Sequence, residues 1–388
     1  MIKAETKNNV LRMIKDDLKS KVRPTQIVMI EDSLNYVLAD DIISKVDIPS
    51  SDISQIDGYA VNHESLYSVD YYSPIRFEIT GKDIIDETTV KKVNKGDLIP
   101  SGADSVIDKD YVKEKDGYII VNRPIHKGSG VYLKGSKIAK GDVVLKKNTK
   151  LNSFNIGLLA SLNEFMVEVY KKVKVGVISV GNNITSVRDN DLEKDIDLNS
   201  YVILNELSGK NTVGISYGII NDKNENEIWK KATDDCDIII ILNSESSDFP
   251  LDYKDGKCYF DEILISPASE SLIYNINDTL VYVFKSEPKD VYIGFNELVN
   301  PIINEIMGIS NEHIPYIKAR SIYNIPGRKG ICEYVFVKIS KEDEEYKFEA
   351  IDFDASYTEV LRDSDGYVFI DRDKEKIEKD ETVKITLI

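Results

Sequence analysis

The stretch with the most chemical content is Ser54-Gln55-Ile56-Asp57-Gly58-Tyr59-Ala60-Val61, which follows Asp47-Ile48-Pro49-Ser50 where a loop runs into a strand. Its Asp-Gly pair sets a carboxylate beside a residue free to take positive φ, and the extended run after it puts Tyr59 and Val61 on one face. Alone, such a pair usually marks only a turn. Other reactive side chains are sparse. Cys236, Cys258 and Cys332 are far apart and none belongs to a C-x-x-C pair, which suggests buried thiols rather than a disulfide framework or a zinc site. His63, His126 and His313 are equally scattered, and a lone histidine is more often a surface or hydrogen-bonded core residue than a ligand. No nucleophile and base stand in a recognisable context, so a hydrolase has little to build from.

The elements that must position these residues change character along the chain. Val10, Leu11, Ile14 and Leu18 at helical spacing predict an amphipathic helix ending before Pro24, and a second short helix is expected from Ser33 to Ala39. From Pro49 to about Leu145 the pattern becomes short strands cut by Gly and Pro, a small β-rich domain. Ser153 to Leu162 reads as a helix. Strands then alternate with helices: a strand over Val173 to Val180, a helix near Ser200 to Leu207, a strand near Gly214 to Ile220, a helix from Glu225 to Thr233, and the near-continuous apolar run Asp237 to Leu242. That rhythm predicts a doubly wound, mostly parallel sheet. A helix over Pro301 to Met307 closes the domain, and the last ~80 residues return to strands, with Val335, Val337 and Ile339 on one face, as in a small barrel or sandwich.

At 388 residues the chain should hold roughly two to four domains. With 42% hydrophobic and 30% charged residues it reads as a soluble globular protein, and no apolar run approaches the ~20 residues that span a bilayer. The start lacks the apolar stretch of a signal peptide, so the chain is expected in the cytoplasm. Fifty Lys and Arg against 67 Asp and Glu give a formal charge of −17, which argues against nucleic acid or an anionic membrane as partner.

In order, the chain carries the Ser54 to Val61 stretch, then Ile99-Pro100-Ser101-Gly102-Ala103-Asp104-Ser105-Val106, Lys140-Gly141-Asp142-Val143-Val144-Leu145, Ile156 to Leu162, Val177-Ile178-Ser179-Val180-Gly181-Asn182-Asn183, and finally Pro326-Gly327-Arg328 with Ser364-Asp365-Gly366. Their order and spacing together resemble the MoeA family of molybdopterin molybdotransferases, which includes the E domain of gephyrin. The resemblance implies an α/β and β multidomain fold: an elongated four-domain subunit with a linker domain (1–46 and 146–170), an inserted β domain (47–145), a doubly wound α/β molybdopterin-binding domain (171–308) and a C-terminal β-barrel (309–388). It implies a homodimer that uses molybdate, or tungstate, and magnesium to convert adenylylated molybdopterin into cofactor, at a site between the α/β domain of one subunit and the β domain of the other.

Carried over residue by residue, Asp57 matches the aspartate of the family's M-D-G-Y-A-V motif and is the expected catalytic residue and metal ligand, with Ile56 in place of the methionine. Asp197 and Asn199 resemble the Y-D-S-N motif, with Leu198 in place of serine; Asp197 is the second expected metal ligand. Ser54, Gly58, Tyr59, Gly102, Asp104, Gly181, Asp197 and Asn199 are the expected substrate contacts. A phosphate-bearing pterin needs glycine-rich turns after parallel strands and lysines to balance its charge, and magnesium needs carboxylates. Asp104 and Asp197 can equally cap a turn and a helix.

The departures bear on activity. Where the family has T-G-D-E-L, this chain has Val180-Gly181-Asn182-Asn183-Ile184, and G-E-D-I has become Gly135-Ser136-Lys137-Ile138. The T-G-A turn is loosely matched at Lys95-Gly96-Asp97. The glycine-rich loop expected after the buried strand reads Asn243-Ser244-Glu245-Ser246-Ser247-Asp248-Phe249-Pro250, with no glycine and two acids, which repel a phosphate. K-P-G-K-P is represented by Ile265-Ser266-Pro267-Ala268-Ser269-Glu270, without lysines, and G-L-P-G-N-P-V-S by Phe284 to Asp290. Two readings follow: a divergent molybdotransferase, or a paralogue without turnover serving as scaffold, dimerisation partner or pterin carrier.

Overall fold

The computed structural model describes residues 4–18, 23–189, 191, 193–220, 225–243, 256–260, 262–285, 287–309 and 314–388. The chain divides into two compact units, a smaller one of Asp40–Lys147 with Ser153–Met166 and a larger one of the remainder.

Helix α1 (Lys7–Leu18) belongs to the larger unit and buries Val10 and Ile14, one turn apart. The smaller unit is built on a six-stranded sheet of β1 (Gly58–Val61), β2 (Ile75–Thr80), β3 (Thr89–Val93), β4 (Ser105–Asp108), β5 (Lys113–Lys115) and β6 (Tyr118–Val121), in the order β4-β1-β3-β2-β6-β5. Tyr59 and Val61 point into one core with Phe77, Val90 and Ile119, while Ala60 packs on the other face with Val93, Val106 and Val131. The period-two expectation for this strand therefore holds. Helix α2 (Ser153–Ser161) completes the unit.

In the larger unit, β7 (Val173–Val180), α3 (Asn199–Ser208), β8 (Thr212–Ile220), α4 (Glu225–Asp235) and β9 (Ile238–Asn243) alternate as expected, followed by the short β10 (Lys257–Cys258) and β11 (Ile265–Ser266), then β12 (Leu272–Ile276) and β13 (Thr279–Lys285). The sheet order is β8-β7-β9-β13-β12-β10, with β8, β7, β9 and β13 mutually parallel. The apolar run of β9 has a simple cause. Ile238, Ile240 and Leu242 enter one core and Ile239 and Ile241 the other, so both faces are covered and no position is left for a polar residue.

Beyond the sheet, α5 (Pro288–Gly294) and α6 (Asn300–Met307) are joined by a π-helical turn at Phe295–Val299. The helical stretch thus begins well before the expected Pro301, which donates no amide hydrogen bond; the turn ahead of it widens to π. The C-terminal strands β14 (Tyr316–Ser321), β15 (Cys332–Glu342), β16 (Glu345–Ala350), β17 (Gly366–Ile370) and β18 (Thr382–Leu387), with α7 (Tyr357–Asp363), close into a barrel in the order β15-β16-β14-β18-β17-β15. Val337 fills the barrel with Val335 and Ile339 beside it, whereas Tyr334 and Phe336, one residue out of phase, pack into the core of the α/β domain.

The helix expected over Ser33 to Ala39 is absent. A single 3-10 turn at Ile30–Asp32 is followed by Asn35 at φ 66°, and Val37 and Leu38 then bridge to Lys150 and Val169. Extended pairing with neighbouring segments outweighs the local helical pattern of a stretch this short. No helix among the described residues is long and apolar enough to cross a membrane.

Candidate functional site

Asp57 sits at the mouth of β1, half exposed. Its Oδ1 accepts the Lys95 amide at 3.0 Å and its Oδ2 the Lys109 ammonium at 3.0 Å. The Lys95 amide, then Lys109, hold its carboxyl below the usual range. Ser54 is buried and donates its hydroxyl to the Ile56 carbonyl at 2.6 Å, so it shapes this turn. Gly58 corrects the expectation of a positive φ: it is an ordinary strand residue paired with Val93 and Asp108, and glycine is needed because a Cβ would collide with the Ile107 carbonyl. Tyr59 is buried and donates its phenol to Glu114, with the Lys92 ammonium over its ring at 5.7 Å.

Gly102 does take φ +93°, and the turn it makes delivers Asp104 to the far end of β1, roughly 15 Å of strand from Asp57. There Asp104 accepts the His63 amide at 2.9 Å, the Ser105 hydroxyl at 3.0 Å and His63 Nδ1 at 2.5 Å, while His63 Nε2 meets the Tyr67 hydroxyl at 3.1 Å. Burial pushes the Asp104 carboxyl up, but the His63 amide, the His63 ring and Ser105 outweigh it and hold the group low. His63 thus has a defined partner that its isolation in sequence did not reveal.

In the larger unit, β7, first in sequence, lies between β8, second, and β9, third, so the strand order reverses between β7 and β9. Ligands of open α/β sheets bind beyond the carboxyl ends of the strands at such a reversal. Gly181 follows β7 directly, and the Ser179 hydroxyl near its end is donated to Asp197 Oδ2 at 2.7 Å. Asp197 and Asn199 share a cavity of about 400 Å³ with Lys194, Asp195, Leu242 and Glu287. Asn199 is buried at the start of α3. The loop expected to cradle the ligand, from Ser244 to Pro250, lies outside the described residues.

A second cavity, of about 500 Å³, opens between the α/β domain and the barrel and is walled by Tyr334, Phe336 and Phe353, with Glu287, Asp290 and Glu333 at its polar edges. Arg328, the last residue of the Pro326-Gly327-Arg328 segment, stands beside it. Its Nε donates to Glu333 Oε1 at 2.7 Å, its amide to Glu333 Oε2 at 2.5 Å, and its Nη2 to Ser266 Oγ at 2.5 Å. Glu333, five residues on, had no signal in the sequence beyond being an acid in a strand.

Residues 5–163 match the MoeA N-terminal region (domains I and II), and residues 318–388 match the MoeA C-terminal region (domain IV). The chain belongs to the MoeA family. It is 27% identical to a putative molybdopterin biosynthesis protein of Methanocaldococcus jannaschii over 96% of this chain and 94% of that one. It is 28% identical to the molybdopterin molybdenumtransferase of Staphylococcus epidermidis strain RP62A over 82% and 80%. The molybdopterin biosynthesis MoeA protein of Pyrococcus horikoshii OT3 superposes over the full length of both chains with a TM-score of 0.85 at 27% identity. The mixed α/β and β architecture with a closed barrel near the C-terminus is that of MoeA.

The magnesium expected from MoeA membership can be tested against these groups. Among the described residues no three His, Cys, Asp or Glu side chains cluster as a metal nest. Magnesium, however, is commonly held by one or two carboxylates together with substrate phosphates. Asp195 and Asp197, two residues apart on one cavity, fit that mode. Asp57, already paired with Lys109, would have to exchange a cation for a cation.

Proposed function

We propose that this MoeA-family chain acts in molybdopterin biosynthesis on adenylylated molybdopterin, inserting molybdate or tungstate, as a homodimer. The observation that carries this reading is Asp197, fixed by Ser179 and facing the cavity at the strand-order reversal. A carboxylate already oriented by a hydroxyl loses little freedom when it receives a ligand, which is the requirement for positioning rather than mere attraction. Lys194 on the same cavity offers a cation to a phosphate, and Asp195 with Asp197 would hold magnesium, which when bound would neutralise phosphate charge. Asp57, half exposed at a turn braced by Ser54, is the corresponding carboxylate of the smaller unit.

A second reading, a pterin carrier without turnover, is favoured by one feature: Arg328, the cation beside the larger cavity, is already neutralised by Glu333. The test is to mix the purified protein with adenylylated molybdopterin, molybdate and magnesium and to follow AMP release. Release that falls at least ten-fold in both Asp57→Ala and Asp197→Ala supports the transferase. Tight binding of the substrate without AMP release supports the carrier, and neither binding nor release overturns both. Light scattering tests the dimer.

A further inference from the structure

At the end of β1 away from Asp57, three side chains line up in a way that the transferase reading does not employ. Asp104 accepts the His63 amide at 2.9 Å and the Ser105 hydroxyl at 3.0 Å on Oδ1, and His63 Nδ1 at 2.5 Å on Oδ2. On the other side of the ring, His63 Nε2 meets the Tyr67 hydroxyl at 3.1 Å. An acceptor at Nδ1 places the imidazole proton there and turns the Nε2 lone pair to the phenol, so Tyr67 is the donor of that bond. His63 is 8% exposed, and its turn is pinned by the fully buried Leu66 and by the Asn62 side chain, which accepts the Glu64 amide at 2.9 Å. Tyr67, one residue past that turn, is 74% exposed, with its ring edge-on to the imidazole at 5.3 Å. A hydroxyl on a base, with the base oriented by a third group, is the signature of an activated nucleophile.

We propose that Tyr67 is an acylation site: its phenol oxygen, giving its proton to His63, takes an acyl group from an activated ester or mixed anhydride. The Tyr67 oxygen forms a bond to the acyl carbon, and the bond from that carbon to its leaving oxygen breaks. The leaving oxygen keeps the bonding pair. The proton passes to His63 Nε2, where Asp104 stabilises the imidazolium, and then to the leaving oxygen. Phosphoryl donors suit the cluster less, because their transfer depends on cations that neutralise the phosphate, and the groups that fix Tyr67 are an imidazole and a carboxylate. Of the other ionisable groups on these segments, Glu64 and Asp70 are exposed, and Asp70 already accepts the Tyr72 and Ser73 amides at 2.8 Å and 2.7 Å. His126 meets the cluster through its carbonyl, which receives the Ser105 hydroxyl at 3.2 Å. So exposed a phenol is open to a donor in solution and encloses none, which fits a modified residue rather than an enzyme that selects a substrate. The inference is independent of the transferase reading, which rests on Asp57 and Asp197.

The experiment treats the full-length protein with p-nitrophenyl acetate and digests it with trypsin, which leaves Tyr59, Tyr67, Tyr71 and Tyr72 on one peptide, residues 46–76. Tandem mass spectrometry reads the acetyl occupancy of each tyrosine against time. Tyr71 and Tyr72, 75% and 90% exposed, are at least as accessible as Tyr67, so access alone gives Tyr67 no advantage. Tyr67 should acetylate about ten-fold faster than either, or more. His63→Gln should bring it down to their rate while theirs stay unchanged, and Tyr59, which is buried, should remain unlabelled as a report on folding. Raising the pH separates two routes: a phenol that waits on its own ionisation gains rate toward the ordinary value of about 10, whereas one served by a base levels off once that base is free. Tyr67 should level off, and Tyr71 and Tyr72 should not. Equal rates at the three exposed tyrosines, a Tyr67 rate that survives His63→Gln, or a Tyr67 rate that climbs with pH in parallel with the other two overturns the proposal. The first and last of these need only the unmodified protein, so the proposal stays open to refutation even if His63→Gln unfolds.

Discussion

Replacing Gly58 by alanine tests the account of the Asp57-Gly58 pair. An added Cβ would fall inside the Ile107 carbonyl oxygen, 2.9 Å from its carbon and 3.0 Å from Val106 Cγ1. The backbone cannot retreat, because Gly58 is paired on one side with Val93 and on the other with Asp108. Overpacking of this kind costs about 1–3 kcal/mol, and separating the strands enough to relieve it loses one or two ladder bonds at about 1 kcal/mol each. The total is roughly 3–4 kcal/mol, a hundred- to thousand-fold shift of the folding equilibrium. For a unit of this size it lowers the melting temperature by roughly 10–15 °C. Gly81→Ala is the control: it has nothing within 4 Å and no positive φ, and should change stability by less than about 0.5 kcal/mol. Scanning calorimetry and urea unfolding by circular dichroism read both variants. If Gly58→Ala melts within a degree or two of Gly81→Ala, the glycine is not there for close packing and the reasoning fails. Asp57→Asn, by contrast, should melt near the unmodified protein while losing AMP release, which separates the packing half of the pair from its chemical half.

Glu297, on the π turn, ties Lys7 of α1 at 2.5 Å to Tyr334 at 2.8 Å and Tyr367 at 3.4 Å; Glu297→Gln leaves Lys7 without its carboxylate in a mostly buried setting and should cost about 2–3 kcal/mol by urea unfolding. A cost under about 0.5 kcal/mol would show that solvent replaces the pair. Asp104 predicts an acid limb. Its carboxyl lies below the ordinary 3.8, so its stabilisation is complete above that value and is lost as pH falls through the lower folded-state value; Asp104→Asn should flatten the decline in melting temperature below about pH 3.8. An unchanged slope would refute it. Gly157, inside α2 with nothing within 4 Å, should accept alanine with a gain of about 0.5–1 kcal/mol, read as a higher midpoint in urea.

Much of the fold was legible because burial writes itself into periodicity. The run Ile238 to Leu242 announced a strand covered on both faces, and the alternation in β15 separated barrel-filling Val337 from Tyr334 and Phe336. Where pairing rather than local pattern decides, as at Ser33 to Ala39, the same reasoning put a helix in place of a bridge-forming turn. The site was legible by residue type but not by partner. Asp57, Asp104 and Asp197 each stood out in sequence, yet the groups that fix them, Lys109, His63 and Ser179, come from 18 to 52 positions away. Gly58 shows a second limit: a motif can name the right residue while the dihedral it suggests is wrong, because a close approach by another strand also demands glycine. The neutralisation of Arg328 by Glu333 depends on a turn bringing two residues of opposite charge face to face, which no periodicity records.

The sheet of the smaller unit has a bearing on how safely the chain folds. Its two outermost strands are β4 and β5, and an open strand edge invites a second chain to add to it. Neither edge is bare. The rim at β4 is capped by the loop that follows β6, where the Val106 amide reaches the Ser129 carbonyl at 2.7 Å and the Gly128 amide the Asp104 carbonyl at 3.1 Å. The rim at β5 is the tripeptide Lys113-Glu114-Lys115, exposed throughout, whose alternating charges would have to be stripped of water before another strand could dock. The glutamate that anchors Tyr59 is therefore also a gatekeeper, guarding a newly made chain against assembling with its neighbours edge to edge.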